Sequence, residues 1–351
     1  MPKRTGKLKV GIIGSGGIAQ GTHLPGWQRL KSDGVDVVAV CDIKKSVAKE
    51  AAARFDVPRV YSDYRQMLRQ EQLDIVDVCT PNAFHKGPTI AGLRAGAHVI
   101  VEKPMAMSVA ECKAMNAAAK KARRKLMVAQ NARFSGDAQA MKRFVDGGGL
   151  GEVYYARAAA LRRRGIPGWG VFTNKELQGG GPMIDIGVHI LDLTLWLMGF
   201  PEPAYVSGVT YTKIGTRKGV GGMGQWDPKK YTVEDLASGL VRMKNGATIM
   251  IEASFALNIP HEEQRTMICG SKGGLCSSPL TFVEENYDNI INGTPQFVGE
   301  VQSHAEEIRC FVEAIRKDLP SPVPGEQAII TQKILNGIYE SAEKGKEVRI
   351  R

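Results

Sequence analysis

What most constrains this chain is an alternation. Up to about residue 130, short apolar runs suited to strands are separated by helical stretches. The strand-like runs are "LKVGIIG" (8–14), "DVVAVCD" (36–42), "DIVDVCT" (74–80), "AHVIVEK" (97–103) and "KLMVAQ" (125–130). Helices are expected from Gly17 to about Leu30, over "SVAKEAAARF", around 85–95 and over 108–124. Alternating βα units of this kind form a parallel sheet covered by helices on both faces.

The first strand runs into "GSGGIA", where Gly14, Gly16 and Ala19 fit the pattern G-x-G-x-x-G/A. The first glycine permits the tight turn, the second lets backbone approach a pyrophosphate, and the third small residue lets helix pack on strand. The helix then presents free N–H groups to the phosphates, with Ser15, Gly17 and Ile18 in the same turn. Asp42 ends the second strand, where a carboxylate bonds the ribose hydroxyls and favours NAD over NADP. Lys44 and Lys45 follow directly and keep NADP open as an alternative.

Ligands of open α/β sheets sit beyond the carboxyl ends of the strands. The third such end carries "TPNAFH", with Thr80, Pro81, Asn82 and His85, and the fourth carries Glu102, Lys103 and Pro104. A lysine directly after a buried strand, beside a dinucleotide site, is held at the rim of the crevice.

The pattern changes near "DGGGLGEVYYARA" (146–158). Beyond it, "VEDLASGLVRMKNGATIMIEASF" (233–255) predicts two strands joined at Asn245-Gly246 by a type I′ turn. "TMICGSKGGLCSS" (266–278) adds another strand and a glycine turn, and 219–232 reads as a long loop. Hairpin connections imply a mainly antiparallel sheet. Two helices are expected at about 303–316 and 326–343, the second capped by Gly345. The chain thus divides into a dinucleotide-binding domain over 1–132 and an α+β substrate domain over 133–351. Substrate is expected where such domains meet.

Within the second part, "GGGPMIDIGVHILDLTLWL" (179–197) is almost wholly apolar, broken by Asp185, His189 and Asp192. Pro182 suits the first helical turn. At about 100° per residue, the two acids and the imidazole fall on one stripe. A buried ionised carboxylate costs several kcal/mol unless it is paired. One reading is a capped core helix with a satisfied histidine. The other is a site: a neutral imidazole is a natural base near neutral pH, and a carboxylate one turn away can orient it or hold a neighbouring hydroxyl. Lys103 could steady a developing alkoxide.

Composition narrows the partners. The net charge of +11 comes with basic runs at 44–45, 120–125 and 162–164, but without basic residues interleaved with aromatics, so nucleic acid is not expected. None of the six cysteines forms a CxxC pair, and no convincing third and fourth metal ligand accompanies Asp185 and His189, so no metal is expected. With no signal peptide and no long apolar run, the expectation is a soluble cytoplasmic protein with no membrane partner.

Together, "GIIGSGGIA", "EKP" and "GGGPMIDIGVHILD" resemble the glucose–fructose oxidoreductase/inositol dehydrogenase (Gfo/Idh/MocA) family over nearly the whole chain. The resemblance implies an α/β protein: an N-terminal Rossmann domain with a parallel sheet and a C-terminal α+β domain with an open, mainly antiparallel sheet. That second sheet is often used for assembly, so a homo-oligomer, a dimer or tetramer, is expected. The resemblance also implies that Lys103, Asp185 and His189 form the catalytic trio, with His189 as base and Lys103 touching both substrate hydroxyl and cofactor. "RRRGIPGWGVF" (162–172) looks like members that oxidise inositols, anhydrosugars or the 3-hydroxyl of glucosides. There, Arg163 would donate to sugar hydroxyls and Trp169 would stack on the sugar's apolar face. Two alternatives stay open: a glycoside-cleaving enzyme that oxidises C3 transiently and regenerates NAD, and a non-catalytic NAD-binding sensor.

Overall fold

The computed structural model describes residues 7–350. It divides into two compact units, Met1–Phe134 with Gln302–Ile329, and Ser135–Val301 with Ile330–Arg351.

The first unit holds six strands: β1 (Leu8–Ile13), β2 (Val35–Cys41), β3 (Arg59–Tyr61), β4 (Ile75–Val78), β5 (His98–Glu102) and β6 (Leu126–Ala129). Their order is β3-β2-β1-β4-β5-β6, and every pairing is parallel. The order reverses sense between β1 and β4, which opens a crevice at their carboxyl ends. β3 escapes the sequence pattern because three residues are too few for a period, and the helix Tyr64–Gln70 that follows has only 7 residues. Val10, Ile12, Ile75, Val76, Val99 and Ile100 are fully buried between the two helical layers.

The sequence boundary after residue 132 lies beside the observed break, but the block after it is not one unit. The segment Gln302–Ile329 belongs with the first unit. Its helix Ser303–Arg316 places Ile308, Phe311, Val312 and Ile315 at helical spacing, and all four are buried in the first unit's core. A Cβ at Gly26 would come within 2.7 Å of Ile308 Cδ1, so the glycine permits this close helix contact. Val128 N–H also donates to Val323 O at 3.1 Å, closing the edge of β6.

The second unit is built on nine strands: β7 (Val153–Leu161), β8 (Pro203–Tyr211), β9 (Leu236–Met243), β10 (Thr248–Ser254), β11 (Glu263–Gly270), β12 (Gly273–Ser277), β13 (Leu280–Asn286), β14 (Asn289–Gly293) and β15 (Val348–Arg349). Their order is β14-β13-β12-β11-β7-β10-β9-β8-β15, with β7 and β10 the parallel pair in an otherwise antiparallel sheet. One face of β9 is buried through Ala237, Val241 and Met243.

The β9–β10 hairpin differs from the expected two-residue turn. Met243 N–H donates to Ala247 O, Gly246 N–H donates to Met243 O, and only Gly246 of the loop has a positive φ (+90°). This is a three-residue loop with a glycine in the left-handed region; a type I′ turn would need Asn245 there too. Gly345 caps the last helix at φ +62° as expected. No helix among the described residues is long and apolar enough to cross a membrane.

Candidate active site

In the first unit, the glycine turn sits at the sheet's switch point. Gly14 has φ +90°, and a Cβ there would lie 2.6 Å from the carbonyl carbon of Cys79, so the turns after β1 and β4 touch. Side chains at Gly16 or Gly17 would meet no protein atom within 4 Å. That open space, at the start of a helix, is where a pyrophosphate fits. Ala19 is fully buried, as close packing of helix on strand requires.

Asp42 ends β2. Its Oδ2 accepts from Ser15 N–H at 3.0 Å and its Oδ1 from Lys44 N–H at 2.9 Å. Each carboxylate oxygen keeps a lone pair for a ribose hydroxyl. Ser15 is fully buried, and its Oγ donates to Cys41 O at 3.2 Å, so its side chain braces the turn from within. Beside Asp42, Ile43 is 90% exposed. Thr80 Oγ1 is buried and makes no hydrogen bond among the described residues, which leaves it available at the mouth of β4. Pro81 precedes the short 3-10 turn Asn82–Phe84.

The ring nitrogens of His85 lie 2.8 Å from Pro104 O and from Thr80 O. Burial pulls this imidazole below its ordinary pKa. His85 thus lies between the turns after β4 and β5, donating to one of these carbonyls when neutral, and presents no ring nitrogen outward. Glu102, the last residue of β5, is buried, and Lys103 after it is half-buried. Glu102 Oε2 accepts the Lys103 backbone N–H at 2.9 Å.

In the second unit, the Asp–His segment begins as a π turn, Met183–Gly187, and continues as an α-helix, Val188–Leu197. The sequence reading expected α geometry throughout. The wider π turn brings residues four apart closer to alignment, and such turns recur at functional sites. Asp185 and His189 are partly exposed, while Asp192 is 1% exposed and lies within the packed body of the helix. The expected stripe of three is thus an accessible pair and a buried acid.

Each of the three glycines before the helix has a separate role. Gly179 is left-handed (φ +86°) and ends the short helix Lys175–Gln178. A Cβ at Gly180 would fall 2.1 Å from Tyr339 Oη, and one at Gly181 would fall 2.5 Å from Glu234 O. Both contacts belong to an anchor that the sequence reading did not find. The buried Glu234 accepts from Gly181 N–H at 2.9 Å, from Met183 N–H at 3.3 Å and from Tyr339 O–H at 2.7 Å. A carboxylate at a helix start satisfies N–H groups that have no partner within the helix. Burial nevertheless holds Glu234 above the ordinary carboxyl pKa, against the pull of Tyr339 and the backbone donors. Nothing in sequence spacing links residues 181, 234 and 339.

Ile186, next to Asp185, packs on a satellite cluster of Ile166, Ile214, Tyr231, Val233, Phe255 and Ala256, which Trp226 also joins. Loops 162–170 and 215–226 rest on this cluster and brace each other: Gly168 N–H donates to Met223 O, and Gly222 N–H donates to Arg164 O, both at 2.8 Å. Arg163 is exposed on the first loop. Trp169 is 54% exposed and makes an edge contact with Phe172.

The cysteines are all free, and Cys41 is held as a thiol because burial and Asp42 push its pKa to about 12. His23, Asp77 and Cys79 bring ligand-type atoms within 4.8 Å of one another. Both His23 nitrogens already face carboxylates, and burial with Asp77 keeps the Cys79 thiol protonated, so the trio forms a hydrogen-bonded cluster.

A parallel sheet with a glycine turn at its switch point and a carboxylate just beyond its second strand defines a dinucleotide-binding protein of the Rossmann class. Residues 8–130 match the family model described as "Oxidoreductase family, NAD-binding Rossmann fold", and residues 138–276 match the "GFO/IDH/MocA C-terminal domain". The chain belongs to the Gfo/Idh/MocA family, is an oxidoreductase and uses NAD. It is 38% identical to the D-glucoside 3-dehydrogenase of Escherichia coli (strain K12), covering 98% of this chain and 97% of that one. It is 25% identical to the D-apiose dehydrogenase of Paraburkholderia graminis, over 98% and 90% of the two chains. Among solved structures, the aldose-aldose oxidoreductase from Caulobacter crescentus superposes with a TM-score of 0.81 at 27% identity, covering 98% of this chain and 99% of that one.

Proposed function

We propose that the chain oxidises a secondary ring hydroxyl of a cyclic sugar, glycoside or polyol, with the 3-hydroxyl of a D-glucoside as the leading substrate type. The observation that carries this reading is the Asp185–His189 pair: two partly exposed ionisable side chains on a helix that otherwise buries almost everything. The relation to D-glucoside 3-dehydrogenase supports the substrate type.

When bound, NAD supplies the nicotinamide C4 that takes the hydride. His189, as a neutral imidazole, takes the hydroxyl proton, and Asp185 orients it or holds the neighbouring hydroxyl. The Lys103 ammonium steadies negative charge as it builds on the oxygen. Asp42 bonds the adenosine ribose, the backbone at Gly14, Gly16, Gly17 and Ile18 approaches the phosphates, and Thr80, Pro81 and Asn82 line the nicotinamide side. Trp169 offers a flat apolar face to the sugar ring, and Arg163 offers donors to its hydroxyls. A homo-oligomer is part of this reading, supported by Tyr205, Val209 and Tyr211, which lie exposed at even spacing along β8.

The test is NADH formation, read by absorbance, across glucosides, anhydrosugars, monosaccharides and inositols. Glucosides are expected to react fastest. No NADH with any ring alcohol would overturn the reading, and aglycone release without NADH would favour transient C3 oxidation.

A further inference from the structure

The first unit buries an ion cluster directly behind Lys103. His23 ends the π turn Ala19–His23 that follows the glycine turn, and its side chain is fully buried. Its Nδ1 lies 2.8 Å from Asp77 Oδ2 on β4, and its Nε2 lies 2.8 Å from Glu102 Oε1 at the end of β5. Two carboxylate acceptors require both ring nitrogens to donate, which only the imidazolium can do. Burial pulls this imidazole down, but its neighbours together, Asp77 foremost and Cys79 with it, more than offset that and hold the pKa well above the ordinary value. Asp77 also accepts from Trp27 Nε1 at 2.7 Å and from Cys79 Sγ at 3.3 Å. Glu307, on the helix Ser303–Arg316, is fully buried nearby, and its carboxyl oxygens make no hydrogen bond among the described residues. Burial pushes its pKa well above the ordinary carboxyl value, which works against a third negative charge here. Burial likewise lowers the pKa of His304, which leaves that neighbour neutral.

Such a cluster is a poor way to gain stability, because apolar side chains of similar volume often do as well or better. What sets it apart is its outer end. The Glu102 oxygen that His23 does not hold accepts the Lys103 N–H. We infer that His23 is a positioning residue for the reaction: clamped between Asp77 and Glu102, it fixes the Glu102 carboxylate, which fixes the backbone that carries Lys103. The clamp also ties the helix after the glycine turn to the ends of β4 and β5, so three ligand-bearing segments share one anchor. Without His23, Glu102 loses the imidazolium that holds its Oε1, and the buried carboxylate is freer to turn or to take up a proton. Lys103 N–H then loses its anionic acceptor.

This inference rests on the reading of Lys103 as a catalytic residue, and the experiment separates the two. In purified full-length enzyme, amide hydrogen exchange at Lys103 is compared with exchange at Val99 and Val101, alongside kcat and KM for a glucoside and Kd for NAD. His23→Gln is expected to speed Lys103 exchange about tenfold or more and to lower kcat by about 10- to 100-fold, as small misplacements of catalytic groups do, with KM and Kd little changed. Val99 and Val101 are expected to keep their protection. Uniform loss of protection along β4 and β5, or unchanged Lys103 exchange, would overturn the inference. Should His23→Gln fail to fold, Glu102→Gln keeps the volume and substitutes a neutral acceptor. Faster Lys103 exchange and a smaller kcat loss are then expected, and no change in either overturns the clamp. Lys103→Met, run in parallel, is expected to lose turnover and keep NAD binding. If it turns over normally, the catalytic reading of Lys103 falls, while the exchange data still report on the clamp.

Discussion

Removing one hydroxyl, Tyr339→Phe, probes the anchor beneath the Asp–His helix. Tyr339 O–H donates to Glu234 Oε1 at 2.7 Å, and the same carboxylate holds Gly181 N–H and Met183 N–H. A hydrogen bond to a charged buried group contributes about 1.5–3 kcal/mol, against about 0.5–1.5 for a neutral pair. For a domain of this size, each kcal/mol shifts Tm by about 2–4 °C, so Tm should fall by about 3–12 °C near pH 8. The pH dependence follows from the direction of the Glu234 shift. Its folded pKa is raised above the unfolded value, so the folded state binds the proton more tightly. Stability from this group is therefore present at low pH and declines as pH rises from the ordinary carboxyl range through the folded pKa. Loss of the Tyr339 donor raises that pKa further. The gap between variant and parent should accordingly be near the neutral-pair value at about pH 4, and widen towards pH 8. Three of the four tryptophans, Trp169, Trp196 and Trp226, lie in the second unit, so urea unfolding followed by fluorescence reports mainly on it. Turnover should drop with NAD affinity unchanged, since the glycine turn belongs to the first unit. A stability gap that is the same at both pH values, or below about 0.5 kcal/mol throughout, would show that Glu234 does not hold the helix start as an anion.

Other outcomes follow from single side chains. His189→Ala should lower kcat by about 100- to 10,000-fold while NAD still binds, measured by steady-state kinetics and nucleotide fluorescence; normal turnover would remove it as the base. Asp42→Ala should weaken NAD more than NADP in direct titration, because the lost acceptor serves the ribose hydroxyls. Gly16→Ala should leave the Tm of the free protein unchanged, since its Cβ meets nothing, yet raise Kd for NAD at least about tenfold by occupying the phosphate space. Gly14→Ala should instead destabilise the free protein by about 1–3 kcal/mol, because its Cβ strikes the backbone of Cys79 and Thr80 at a positive φ.

The sequence by itself determined much of this. Strand runs separated by helical stretches specify a parallel sheet through burial on two faces, and β1, β2, β4, β5 and β6 fall where those runs lie. Gly14, Gly16, Ala19 and Asp42 mark the dinucleotide turn because each meets a local steric or charge requirement within one βαβ unit. Asp185 and His189 stand out because polar residues interrupt an apolar helix. Only the tertiary structure decided how those residues are held. It gave Gln302–Ile329 to the first unit, made the start of the Asp–His helix a π turn, buried Asp192, and drew Glu234 to Gly181 across 53 residues of chain and Tyr339 to Glu234 across 105. It also turned His23 and His85 inward, one to carboxylates and the other to carbonyls. Periodicity and motif spacing record contacts made within a turn or a strand pair. Contacts between distant segments leave no period, so the supports of the site became visible only when the chain was folded.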